Sequence, residues 1–136
     1  MNICLRLAII SLIAISLAAC GQQDLRLQAT TKLTTTVSAS GCQPGQWVVP
    51  GGAPITITFI NNSPDNAQWT VLIYPATPPY TGMDKKNVYI GFSIPANSTI
   101  MEKFTAPAMP AEYQVLCGQA DALDKTPKAV LVVAQP

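Results

Sequence analysis

Residues 50–62 read Pro50-Gly51-Gly52-Ala53-Pro54-Ile55-Thr56-Ile57-Thr58-Phe59-Ile60-Asn61-Asn62. From Ile55 the residues alternate. Ile55, Ile57 and Phe59 fall on one side of an extended chain, and Thr56 and Thr58 on the other. β-Branched and aromatic residues with period two suit a strand that has one face in a core and one in water. Both ends are closed by turn-forming residues. Pro50-Gly51-Gly52 lies before the strand, and Asn61-Asn62-Ser63-Pro64-Asp65-Asn66 lies after it.

The same unit recurs along the chain. Strands are expected at 33–38, 46–49, 69–74, 87–92, 99–104, 112–117 and 129–134. The prolines stand between these runs and not inside them, as strands require. Pro95-Ala96-Asn97-Ser98 and Pro107-Ala108-Met109-Pro110 are two such breaks. Residues 75–86 and 118–127 are the longest irregular pieces, and no window sustains a helical period. With the strand at 55–60 this makes about eight short strands. The expected fold is all-β: a two-sheet antiparallel sandwich of Greek-key type.

Composition narrows the function. Charged residues are 11% of the 136, with 8 basic and 7 acidic side chains. That near balance offers no electrostatic footprint for nucleic acid and no polybasic patch for a membrane. Histidine is absent altogether. Its absence removes the commonest general base, the commonest transition-metal ligand and every triad built on imidazole. Asp121, Asp124 and Glu112 share no regular face, so no acid–base pair is read from them. Gly51-Gly52 precedes a strand and not a helix, so it lacks the setting of a phosphate loop. The reading is a protein without catalytic residues.

The N-terminus carries an address. Arg6 precedes an apolar run at 7–17, which ends in Leu17-Ala18-Ala19-Cys20. A basic residue, an apolar stretch too short for a permanent span and then small residues make the layout of a secretory signal peptide. The cysteine after Ala18-Ala19 resembles the lipobox of bacterial lipoproteins. That resemblance implies cleavage before Cys20 and acylation of Cys20 with chains such as palmitate. Two or more chains anchor stably, where one binds only marginally. An ordinary signal peptide and a retained N-terminal membrane anchor are the alternatives. On this reading residues 1–19 are a lipoprotein signal peptide, 20–31 a flexible tether and 32–136 the β-sandwich domain. The location is the bacterial cell envelope, facing the periplasm or the exterior. The partners are the membrane, through the lipid, and a protein of unknown identity.

Three blocks resemble the cupredoxins, the small membrane-tethered auracyanin type in particular. Residues 50–62 are similar to that family's glycine turn, central strand and terminal asparagine. Gln68-Trp69-Thr70-Val71-Leu72 resembles the segment after its first copper histidine. Phe104-Thr105-Ala106-Pro107 through Ala111-Glu112-Tyr113-Gln114-Val115-Leu116-Cys117 resembles the hairpin leading to its copper cysteine. Lys128-Ala129-Val130-Leu131-Val132-Val133 matches the closing strand. Members hold copper with two histidines, a cysteine thiolate and usually a methionine. Carried over by position, these ligands fall on Ala67, Cys117, Ala122 and Pro127. Only Cys117 matches. The resemblance therefore implies a cupredoxin-like sandwich without a type 1 copper centre and with no cofactor.

Cys4 leaves with the signal peptide, and Cys20 carries lipid. Cys42 and Cys117 remain, in an oxidising compartment. Three readings stay open. The two form a disulfide; or they are buried free thiols; or they bind Cu(I) together with a methionine such as Met109, since soft ions take thiolate and thioether. Met83, Met101 and Met109 are otherwise read as core or loop filling. Tyr80, in Pro78-Pro79-Tyr80-Thr81-Gly82, is either a partner-contacting tip or plain surface, and Lys85-Lys86 is a solvated pair. The function expected from all this is a lipid-anchored binding or structural module, an accessory protein of a membrane complex. The alternatives are a Cu(I)-handling protein and a cupredoxin-related electron carrier.

Overall fold

The computed structural model describes residues 28–63, 67–74, 88–120 and 129–135. These form nine strands: β1 (Lys32–Ser38), β2 (Gly41–Gln43), β3 (Gln46–Pro50), β4 (Pro54–Asn61), β5 (Trp69–Ile73), β6 (Ile90–Ile94), β7 (Ser98–Thr105), β8 (Glu112–Gln119) and β9 (Ala129–Ala134). One sheet has the order β2-β1-β4-β7 and the other β3-β9-β8-β5-β6. The architecture is the expected two-layer β-sandwich.

Alternation builds the core between the layers. On β4, Ile55, Ile57 and Phe59 are buried while Thr56, Thr58 and Ile60 are half-buried on the outer face. Val71 and Ile73 of β5, Val115 of β8 and Leu131 of β9 meet them from the other sheet, all fully buried. Phe59, Phe92 and Phe104 stack in series, with centroids 5.1 and 5.7 Å apart in tilted and edge-on pairs.

Four expectations need correction. β2 was not foreseen: three residues are too few to show a period. The strand expected at 87–92 lies at Ile90–Ile94, and the part of the expected strand at residue 87 lies outside the described residues. The sandwich is mixed, since β1 pairs with β4 in parallel and β3 with β9 in parallel. Alternation is blind to strand direction, so only long-range pairing reveals this. Last, the folded body begins before Lys32. Thr30 N–H donates to Val48 O at 3.0 Å, Thr56 N–H donates to Thr31 O at 2.8 Å, and Ala29 packs on Val48, Val132 and Ala134.

The register gives the sandwich two poles. One gathers the start of β4, the end of β7 and the start of β8. Here Gly52 N–H bonds Pro107 O, Ala106 N–H bonds Ala53 O, and Gly51 N–H bonds Ala134 O. Gly52 takes φ +70°, open to glycine without strain. A Cβ on Gly51 would sit 3.2 Å from Ala108 O. The other pole gathers the end of β4, the start of β5, the turn between β6 and β7, and the end of β8.

The free edge of β7 is protected. Glu102 lies opposite Ile57, hence on the core-facing side, yet is exposed. A charge pointing inward on an edge strand discourages pairing with another chain.

Candidate functional site

Of the ligand positions that the resemblance implies, Ala67 and Cys117 are described, and both lie toward the second pole. β4 sends Ile55, Ile57 and Phe59 inward, and the same parity turns Asn61 inward, fully buried. Its amide Nδ2 donates to Ala67 O and Pro95 O, both at 2.9 Å, with a longer approach of 3.4 Å to Ile94 O. Its Oδ1 accepts from Ser63 N–H at 3.2 Å. One side chain thus ties the exit of β4, the approach to β5 and the turn after β6. A buried amide is tolerable only when satisfied in this way. Ser98 Oγ donates to Pro95 O at 2.7 Å, and Ala120 N–H donates to Gln68 O at 2.9 Å. Gln68 Nε2 also donates to Ser93 Oγ.

Cys117 faces the core from β8, opposite Val71 of β5. Cys42 faces it from β2, opposite Val37 of β1. The two form a disulfide with Cα atoms 5.8 Å apart. The bridge joins one sheet to the other and settles the three readings of these cysteines in favour of the first. Thr35, also buried on the core parity of β1, helps hold β2 by donating to Gln43 O at 3.1 Å.

This pole does not fit type 1 copper. The Ala67 side chain has no lone pair to give, and no residue of the chain is a histidine. The Cys117 sulfur is spent in a bond to Cys42. Trp69, two residues beyond Ala67, is buried, and its indole N–H has no hydrogen-bond partner. That group is a donor only and offers a cation nothing. Trp47 on β3 is buried with its N–H in the same condition; each such group costs about 1–3 kcal/mol. No cluster of three metal-binding side chains of the His, Cys, Asp or Glu kind occurs among the described residues.

The Cu(I) trio is not assembled either. Met109 sits before β8 at the far pole, and Glu112 to Cys117 alone is about 17 Å of extended chain. Met101 and Met109 are 65% and 71% exposed, so they fill neither core nor loop interior. Cys20, Ala122, Pro127, Tyr80, Met83, Lys85, Lys86, Asp121 and Asp124 lie outside the described residues.

The role of Asn61 was only half visible in the sequence. A polar residue on the inward parity of an otherwise apolar strand was the available signal.

The fold is similar to that of solved auracyanins. The chain is similar to dithionite-reduced auracyanin from the photosynthetic bacterium Roseiflexus castenholzii, at 23% identity and TM-score 0.57 over 78% of this chain and 98% of that one. Auracyanin B matches at 14% identity and TM-score 0.56, over 76% and 89%. Auracyanin A, a blue copper protein from Chloroflexus aurantiacus, matches at 20% and 0.52, over 75% and 98%. No family model matches the chain, and no curated protein does. The class is therefore defined by the fold: a cupredoxin-like β-sandwich. Within that class, this chain carries a disulfide, Cys42–Cys117, from one sheet to the other.

Proposed function

We propose that this chain is a lipid-anchored, extracytoplasmic binding or structural module that serves as an accessory protein of a membrane complex, without type 1 copper and without enzymatic activity. One observation carries the reading. At the pole where a cupredoxin places its copper ligands, the cysteine is consumed by the Cys42–Cys117 bridge and Ala67 offers a methyl group. What remains there is a set of exposed amides, Asn62, Gln68 and Asn97, around a pole tied by Asn61. Such a surface suits contact with a protein better than transfer of an electron. The lipobox at Cys20 supports attachment to the envelope membrane.

The test is a pull-down of the full protein from detergent-solubilised membranes. Specific recovery of a membrane protein supports the accessory role, and recovery of none counts against it. Addition of Cu(II) should produce no blue absorption band. A band would overturn the copper-free part of the reading.

A further inference from the structure

The two poles differ in chemistry. The pole tied by Asn61 shows amides and hydroxyls. The opposite pole is built from Pro50-Gly51-Gly52-Ala53-Pro54 and Ala106-Pro107-Ala108-Met109-Pro110-Ala111. Gly52, Pro54, Ala108, Met109 and Pro110 are exposed there. Met109 shows 71% of its surface to solvent. Tyr89 stands beside them, 43% exposed, with its hydroxyl donating to Thr105 O at 2.8 Å and its ring 6.4 Å from that of Tyr113. Among the described residues, the charges near this pole are Lys32, Lys103 and Glu112, all at its rim.

The N-terminal tail leaves from the same pole. Thr31 is bonded to Thr56, two residues into β4, and Thr30 to Val48, two residues before the end of β3. Eight peptide steps separate Cys20 from Gln28, a contour of at most about 29 Å. An anchor at residue 20 therefore holds the apolar pole within about 29 Å of the bilayer, with the amide pole at the other end of the sandwich.

We infer that the pole bearing Met109 and Tyr89 rests on the surface of the bilayer that holds the tail, with these side chains in the headgroup region. The inference rests on the anchorage at Cys20 proposed above. A methionine, prolines, alanines and a tyrosine with its hydroxyl bonded internally suit the interface, where an apolar body and a polar tip are both accommodated. The patch is too small to hold a free protein on a membrane. A tether raises its local concentration to roughly the millimolar range, so weak contact suffices. With charge confined to the rim among the described residues, the contact needs no anionic lipid and resists salt. The amide pole is thereby turned outward toward a partner.

Methionine oxidation reads the contact. The protein is purified from membranes with whatever anchor it carries and reconstituted into phosphatidylcholine vesicles. Dilute hydrogen peroxide is added, and sulfoxide at each methionine is measured by mass spectrometry. Met101, 65% exposed at mid-height on the outer face of β7, is the internal control. The Met109 to Met101 oxidation ratio should fall by about fivefold or more on vesicles relative to detergent micelles. It should stay low in about 0.5 M NaCl. Ala108→Glu, which sets a charge in the patch, should restore the ratio with the melting temperature unchanged. A ratio that does not fall on vesicles overturns the inference. So does protection that grows with protein density, which marks a second copy, or protection seen in native membranes but not in pure lipid, which marks a protein. The mass of the N-terminal peptide is read in the same digest. Absence of acyl mass on Cys20 defeats the lipid reading alone, because the ratio is measured with any anchor.

Discussion

At the residue scale, Asn61 does the most with the least. Two of its amide bonds and one acceptance hold the end of β4, in one sheet, to the paired ends of β5 and β6 in the other. Asn61→Ala takes the side-chain donor from Ala67 O and leaves Pro95 O only Ser98 Oγ, and it should cost about 1–3 kcal/mol, since an unmade buried bond forfeits its desolvation. Urea unfolding of the variant against the parent checks this; a loss below about half a kcal/mol refutes the knot. Tyr113 gives a second expectation at this scale. Burial raises its pKa above the ordinary 10.0, and the neighbouring Tyr89 raises it further. The folded state therefore holds the phenolic proton more tightly than the unfolded state. The resulting stability is complete below the unfolded value near 10 and is lost as pH climbs through the folded value. Thermal melts should fall steeply only above about pH 10, and Tyr113→Phe should flatten that descent while losing the bond from Tyr113 Oη to Met109 O.

At the element scale, the weak member is β2. It has three residues and pairs only with β1. The Cys42–Cys117 bridge fastens it to β8 and closes a separation of 75 residues. The chain-entropy model assigns such a loop on the order of 4–5 kcal/mol. The double variant Cys42→Ala, Cys117→Ala should lose about 4 kcal/mol of unfolding free energy, and its amide protons in β2 should exchange first. Unchanged stability of the double variant would remove the bridge from its clamping role. This scale also shows where sequence reading succeeded and failed. The strand at 55–60 was legible because its apolar and polar residues alternate from Ile55 to Phe59 with turn residues at both ends, and the observed β4 adds only its two flanking residues. β2 was illegible because Gly41-Cys42-Gln43 is shorter than any pattern. The shift of β6 to Ile90–Ile94 arose because Tyr89 carries strand propensity. Its hydroxyl is bonded to Thr105 O outside the sheet.

At the scale of the whole molecule, composition sets the response to pH. No histidine is present, so no side chain of ordinary pKa titrates between about pH 6 and 8. The melting temperature should be nearly flat across that window in thermal melts, and a steep slope there would refute this. The chain by itself determined the class of fold, the absence of imidazole chemistry and the candidate lipid address, because these depend on residue type and on short-range period. Pairing of Cys42 with Cys117 was one of three readings until the sheets were seen to bring their Cα atoms to 5.8 Å. The parallel pairs, the knot at Asn61, the separation of Met109 from Cys117 and the two unlike poles were decided by tertiary structure alone. Each depends on which distant segments lie side by side, and a local alternation of apolar and polar residues records which face is buried but not what it is buried against.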